Sequence, residues 1–450
     1  MKLLIKNGIV FTQNLLMQLD VAVAEGKILA IGGKPSAFVP DQIIDADGAY
    51  VLPGFIDMHT HLDDIIGNYE LADAYRSGTE VAVRNGITTV FNFVTQRDNE
   101  TLDNALQKAH KKAGGNCWSN YGFHLTPTRF LEEDWTSILQ KVEQGYKTFK
   151  FYTTYKNAGL YCSYEQLENI IDRLSLAGAR CLVHCEDEDI LSSVSTEGID
   201  YSQPYSHALL RPPKAETEAV MKLIELSMNF NARIHIVHVS TYLAVQMIQK
   251  AREEAPITCE TAPQYLFLNE DMLKRADGHR WMCSPPLRSE EERLRMIDAA
   301  RNGMFDVVAT DHCAFRKTDK DNWNSDIGNV PNGIAGIGAL PHLVASLYDG
   351  DFSKVVPNLV NMLSKNPARI TGLYPRKGML AVGADADIVV MSPATSKRPI
   401  VSSFSDTYET YPDRFAALDF RSVIVGGKEV VRDNKLIPSR LPEGECVCQP

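Results

Sequence analysis

Between residues 54 and 309 the chain alternates, eight times over, between a short apolar run and polar or helix-periodic sequence. The apolar runs lie at 54–59, 88–94, 121–125, 148–155, 181–185, 233–239, 257–261 and 306–309. Segments with helical periodicity at 74–85, 101–114, 135–145, 164–177, 214–229, 241–254 and 289–302 follow the first seven. Strands that alternate with helices build parallel βα units. Eight units over about 260 residues match the count and length of a (β/α)8 TIM-type barrel, an α/β fold. A doubly wound open sheet is the alternative, but it would not gather the ends of strands one, four, five, six and eight around one point. Residues 354–372 read as one or two closing helices.

The chain ends have a different texture. Strand-like runs occupy 3–11, 21–24, 28–32 and 42–45, with turns at Glu25-Gly26-Lys27 and Ala46-Asp47-Gly48. They suggest a small antiparallel unit. Similar runs return at 388–391 and 401–404, and in a hairpin over 421–432 that turns at Gly426-Gly427. The simplest arrangement pairs both ends in one small β-sandwich domain. The expected division is therefore 1–52 with 376–437 for that domain, 53–375 for the barrel, and 438–450 for a C-terminal tail. Cys446-Val-Cys448 within the tail reads as loose chain before it reads as a metal pair.

Bulk properties narrow the function. A net charge of −11, from 46 basic and 57 acidic residues, speaks against nucleic acid as the main partner. No run of 18 apolar residues occurs, so no membrane span is expected. Nine scattered cysteines without a paired framework point to reduced thiols and a cytoplasmic location.

The chemistry collects where apolar strands end. Val51-Leu-Pro-Gly-Phe-Ile-Asp-Met-His-Thr-His61 closes on two histidines at i, i+2, a spacing that puts both imidazoles on one strand face. Two buried rings pointing together are costly unless something such as a metal ion satisfies them. Lys150 lies in the fourth run, His184 and His238 close the fifth and sixth, and Asp311 follows the eighth. Active sites of (β/α)8 enzymes lie at these C-terminal strand ends, so all six converge. In Arg233-Ile-His-Ile-Val-His-Val239 the two histidines are three residues apart and should face opposite ways. His238 is assigned inward, His235 to a layer or the surface, and His312 is turned away from Asp311. Four histidines and an aspartate suit zinc or a similar divalent ion. They are too many for one catalytic metal with an open position and about right for two. A buried Lys150 ammonium beside two cations is strongly disfavoured, so the lysine is either turned outward or converted to an anion.

The sequence resembles the cyclic amidohydrolases, in their dihydropyrimidinase and hydantoinase branch. The resemblance runs through nearly the whole chain. It is carried by Pro53-Gly-Phe-Ile-Asp-Met-His-Thr-His-Leu-Asp63, Thr148-Phe-Lys150, Val183-His-Cys-Glu-Asp187, Arg211-Pro-Pro-Lys-Ala-Glu216 and His238-Val-Ser240. Glu260-Thr-Ala-Pro-Gln-Tyr-Leu266, Cys283-Ser-Pro-Pro-Leu-Arg288, Thr310-Asp-His-Cys313 and Pro331-Asn-Gly-Ile-Ala-Gly336 continue it. The resemblance implies that Lys150 is carboxylated by CO2 and that its carbamate bridges two Zn2+ ions. His59, His61 and Asp311 would hold one ion, His184 and His238 the other. A hydroxide between the metals would attack the ring carbonyl, with Asp311 as acid and base. Tyr155 would donate to the developing oxyanion, while the backbone groups of Ser284 and Asn332 hold the imide edge. A homotetramer, sometimes a dimer, is the family habit, and pyrimidine degradation a family role.

Asp63 stands where dihydroorotase-like relatives carry an arginine for a substrate carboxylate, and Gln264 where allantoinase-like relatives tend to carry histidine. Both favour a neutral ureide or imide, dihydrouracil or a 5-substituted hydantoin, opened to an N-carbamoyl amino acid. Two stretches depart from the branch: Ile337-Gly-Ala-Leu-Pro341 is closer to the allantoinase and dihydroorotase style, and Asp64-Ile-Ile-Gly-Asn-Tyr69 lacks the usual Pro-Phe pattern. An allantoinase- or dihydroorotase-like amidase is therefore the alternative. Further alternatives are a single-metal hydrolase or deaminase and a binding protein on the same fold. His110, His207, His279 and His342 carry no support as ligands. His124, ending strand three, reads as a structural histidine before it reads as a rim residue, and Asp63 and Asp64 are expected to shape their loop.

Overall fold

A computed structural model describes residues 1–448. Its barrel strands run in order: Phe55–His61, Ile87–Thr95, Asn120–Thr126, Thr148–Tyr152, Arg180–His184, Ile234–Ile236 and Ile257–Thr261. The eighth is broken into Val307–Val308 and His312–Cys313. Val307–Val308 pairs with the seventh strand and His312–Cys313 with the first, all in parallel, so the sheet closes on itself. These strands are continuous apolar runs because helices cover one face and the barrel core the other.

The covering helices carry their own signals. Tyr164–Leu176 begins at Ser163, whose hydroxyl accepts from the Gln166 amide while the Gln166 side chain accepts from the Ser163 amide. Leu167, Ile170, Ile171 and Leu174 then make one buried stripe. Each contributes about 1.5–3 kcal/mol of apolar burial.

Both chain ends meet in one nine-stranded sheet. Tyr50–Pro53 joins them, parallel to Lys2–Thr12 on one side and antiparallel to Ile388–Pro393 on the other. Leu3, Ile5, Val21, Val51, Ile388 and Val390 form its core. The expected antiparallel unit is thus mixed, since Gln42–Asp45 also runs parallel to Lys2–Thr12.

Two expectations fail, each for a local reason. Residues 401–404 are not a strand. Their backbone is used against the barrel: the Gly338 amide donates to the Ser402 carbonyl at 3.1 Å, and the Ser402 amide to Glu409 at 2.9 Å. Only glycine fits at 338, because an added Cβ would stand 2.0 Å from the Val401 carbonyl oxygen. Nor is the tail loose. The third barrel strand pairs with the fourth only at Leu125, and the tail takes up the vacant edge. The Tyr121 amide donates to Glu445, the Val447 amide to Tyr121, and Val447 and Cys448 are buried. Among the described residues, no helix is long and apolar enough to cross a membrane.

Candidate active site

The two ends of the broken eighth strand create the first cluster. Asp311 lies in the break with φ +50°, a left-handed conformation that costs about 1–3 kcal/mol outside glycine. Buried Asp57 holds the flanking backbone, accepting from the Thr310 amide (3.1 Å) and hydroxyl (2.6 Å) and from the His59 amide (3.4 Å). So held, the Asp311 carboxylate stands 3.0 Å from Nε2 of His59 and 3.5 Å from Nε2 of His61. One donor atom from each of these residues lies within 4.8 Å of the others.

A second pair lies alongside. His184 Nδ1 and His238 Nε2 face each other at 3.0 Å, and the His59 and His238 rings are 5.4 Å apart. Burial and the neighbouring histidine hold His238 neutral, well below the ordinary imidazole pKa. Two lone pairs at that distance repel unless a proton or cation lies between them.

The outer ring nitrogens decide which atoms face inward. His59 Nδ1 is bound by Glu260, and His184 Nε2 by Glu186 at 2.8 Å. Arg211 pairs with Glu186 through both Nε and Nη2. Burial works against ionisation of both carboxylates. His59 and His235 at Glu260, and Arg211 and His184 at Glu186, outweigh it and hold both acids below the usual range. His238 Nδ1 has no partner among the described residues.

Lys150 is buried among these groups, which removes the possibility that it turns outward. Its Nζ is 5.2 Å from the centre of the Phe93 ring, and that ring packs on both His59 and His61. Burial lowers the lysine to about 8, against the pull of Asp311 and Glu260.

Tyr155 follows the fourth strand with φ +69°. Its ring is 5.0 Å from that of His184 and 5.3 Å from the Arg211 guanidinium. Burial pushes its phenol up to about 12, against the pull of Arg211. Asn332 is exposed on a loop tied to the Ser284 segment by the Gly333 amide, which donates to Met282 at 3.0 Å. Among the described residues, the backbone amides and carbonyls of Ser284 and Asn332 have no partner.

Other histidines sort by contact. His235 lies in the barrel interior, 3.2 Å from Glu260, and not opposite to His238. The alternation breaks because the strand stops at Ile236 and His238 has φ +38°. His312 does turn away from Asp311, to Asp73 at 3.1 Å. His124 is core, bonded to Thr148 and the Met58 carbonyl, and not rim. His207, expected only as core or surface, binds the Cys283 carbonyl at 2.9 Å beside Ser284. Asp63 and Asp64 are salt-bridged to Lys112 and Arg97 at 3.0 and 2.8 Å.

Glu260, Glu186 and Asp57 are the site residues that sequence reasoning passed over as such. Their signal was an acid inside or just beyond an apolar strand, as in Ile257-Thr-Cys-Glu-Thr261.

The Amidohydrolase family model matches residues 50–430. A D-hydantoinase of Streptomyces coelicolor is 31% identical over 446 residues, covering 96% of this chain and 94% of that protein. A D-phenylhydantoinase of Escherichia coli is 33% identical over 406 residues, covering 88% and 87%. The crystal structure of dihydropyrimidinase from Brevibacillus agri superposes with a TM-score of 0.93 at 33% identity, covering 100% of this chain and 99% of that one. The broken eighth strand, the histidine pairs at the barrel mouth and these full-length likenesses agree: the chain is a member of the amidohydrolase family, in the branch of the hydantoinases and dihydropyrimidinases.

Proposed function

We propose that the chain hydrolyses the amide bond of a neutral cyclic ureide or imide, dihydrouracil or a 5-substituted hydantoin, to an N-carbamoyl amino acid. The observation that carries this reading is the pair of facing donor sets, His59–His61–Asp311 and His184–His238, around a buried Lys150. Full-length relatives named for hydantoin and dihydropyrimidine chemistry supply the substrate class.

The donor set fits two divalent ions, zinc by its nitrogen and oxygen composition. His59, His61 and Asp311 would hold one and His184 and His238 the other, with Lys150 as a carbamate from CO2 between them. When bound, the ions supply Lewis acidity that activates water and polarises the ring carbonyl. Asp311 accepts the proton of the attacking water and returns it to the leaving ring nitrogen. Protonated at neutral pH as any phenol is, and kept so well into the alkaline range by burial that pushes it up to about 12, Tyr155 donates a hydrogen bond to the oxyanion. The unpartnered backbone groups of Ser284 and Asn332 receive the imide edge, fixing which carbonyl meets the water.

The allantoinase- or dihydroorotase-like reading loses its main support. Ile337 and Leu340 are packed in the hydrophobic core, while Ala339 packs with Ile400 and Tyr411, which supports reading this departure as a matter of packing. The proposed ring-opening reading includes a homotetramer or dimer and a reducing, cytoplasmic setting. No disulfide is found among the described residues.

Ring opening by the zinc-loaded protein decides the matter, across dihydrouracil, hydantoin, 5-phenylhydantoin, allantoin and dihydroorotate, with Lys150→Ala as control. Opening of the first two or three, lost in the variant together with bound metal, is the expected result. Turnover of allantoin or dihydroorotate alone would overturn the substrate assignment.

A further inference from the structure

Lys320 lies on the short helix Lys317–Asp321 that follows the eighth strand, and it is 3% exposed. A buried ammonium is normally matched by a carboxylate. Here Nζ donates instead to two backbone carbonyls, Pro331 at 2.7 Å and Met282 at 3.2 Å, with the Phe315 ring 5.8 Å away. Pro331 immediately precedes Asn332, and Met282 stands two residues before Ser284. One cation thus pins the two loops whose free backbone groups form the proposed clamp. His207 steadies the same segment from the other side through the Cys283 carbonyl.

We propose that Lys320 is a positioning residue that sets the separation of the Ser284 and Asn332 backbone groups and so the fit of the imide edge. This rests on the ring-opening reading above. An ammonium suits the task because three donors on one atom can serve carbonyls that arrive from different directions. An apolar side chain of similar length would leave Pro331 with a buried, unpaired acceptor, and the Gly333–Met282 hydrogen bond would be left to hold two loops now able to shift against each other. Lys320 makes no contact with the histidines or Asp311, so the loss should fall on ring binding and not on the chemical step.

The test is Lys320→Met in the zinc-loaded protein. The expected result is a KM for the best ring raised tenfold or more, kcat within threefold of wild type, and unchanged metal content. Amide hydrogen exchange, read without any substrate, should speed up selectively at Gly333, whose amide donates to Met282, and at Met282, whose amide donates to His279. Unchanged KM with unchanged exchange overturns the proposal, and so does a parallel fall of kcat, metal content and thermal midpoint. If Lys320→Met does not fold, Lys320→Gln, too short to span both carbonyls, takes its place with the same expectations. If wild type opens no ring, the ring-opening reading fails, while the exchange measurement still decides whether Lys320 clips the loops.

Discussion

Each imidazole has two nitrogens, and only one can face a cation. The choice is made by what the other nitrogen binds. At His59 that partner is Glu260 and at His184 it is Glu186, itself gripped by Arg211. Glu260→Gln keeps the size of the side chain and removes the negative charge that orients His59. Metal affinity should fall about 10- to 100-fold, read by competition with a chelator. An unchanged affinity would mean that strand geometry alone orients the ring. Lys150 offers a second test at this scale. A carbamate forms only from the neutral amine, and burial lowers this lysine to about 8. At fixed dissolved CO2, carbamate formation in metal-free protein should be slowed about tenfold for each pH unit below 8 and level off above it. The 13C signal of the carbamate measures this directly, and a rate independent of pH would sink the idea. The histidines and Asp311 were legible because each closes or follows an apolar run, and Lys150 because it puts a charge inside one. Glu260 was not, because its value depends on His59, far away in the sequence. Nor was Glu186, because a strand-end acid two residues from His184 gives no sign of which ring nitrogen it meets or that Arg211 grips it. His235 was misread because a period-two rule was carried past Ile236, where the strand ends.

Elements were legible wherever pattern and burial agree. The barrel strands and their helices stand within a few residues of their expected bounds, since two-sided burial and amphipathic stripes both leave periodic traces. The failures were segments whose hydrogen bonds go to distant partners. Residues 401–404 have strand-like composition, yet their backbone bonds to Gly338 and Glu409. The tail is polar and proline-bearing, yet it completes the edge of the third strand. Its bonds run from Tyr121 to Glu445, from Val447 to Tyr121, from the Glu445 amide to Asn120 at 3.0 Å, and from the Phe123 amide to the Cys448 sulfur at 3.1 Å. Truncation after Gly444 removes them and uncovers the site filled by Val447, whose burial stabilises by about 1.5–3 kcal/mol. The expected outcome is a thermal midpoint several degrees lower at a fixed scan rate, with KM unchanged. The tail lies at the start of strand three, and catalysis is expected at the opposite, C-terminal strand ends. A change in KM with no change in midpoint would instead tie the tail to the site.

The whole molecule carries an unusual load of buried imidazole, and this sets how its stability responds to acid. Burial lowers His124 to about 3, His207 to about 4 and His342 to about 3. All three are bonded as neutral rings within the core; His342, for instance, lies 3.0 Å from Asn85 and accepts the Leu418 amide at 3.3 Å. In the unfolded chain each would take a proton near pH 6.5. As pH falls below that value the unfolded state gains protons that the fold refuses, so stability declines. Each histidine contributes at most about 1.4 kcal/mol per pH unit, and three together about 4. Asp57 opposes them, because burial pushes its folded pKa up to about 6. Between about pH 6 and 4 it takes a proton in the fold that the unfolded chain does not, returning about 1.4 kcal/mol per unit. These four groups alone give a loss approaching about 3 kcal/mol per unit between pH 6 and 5, and His61, His184, His235 and His238, whose rings burial also lowers, steepen it. Urea unfolding of the metal-free protein at 25 °C measures it without the metal release that acid would otherwise add. His342→Gln should flatten the profile by about one histidine's share. A flat profile from pH 7 to 5 in wild type would mean that these rings are reached by water and titrate in the fold as they do outside it.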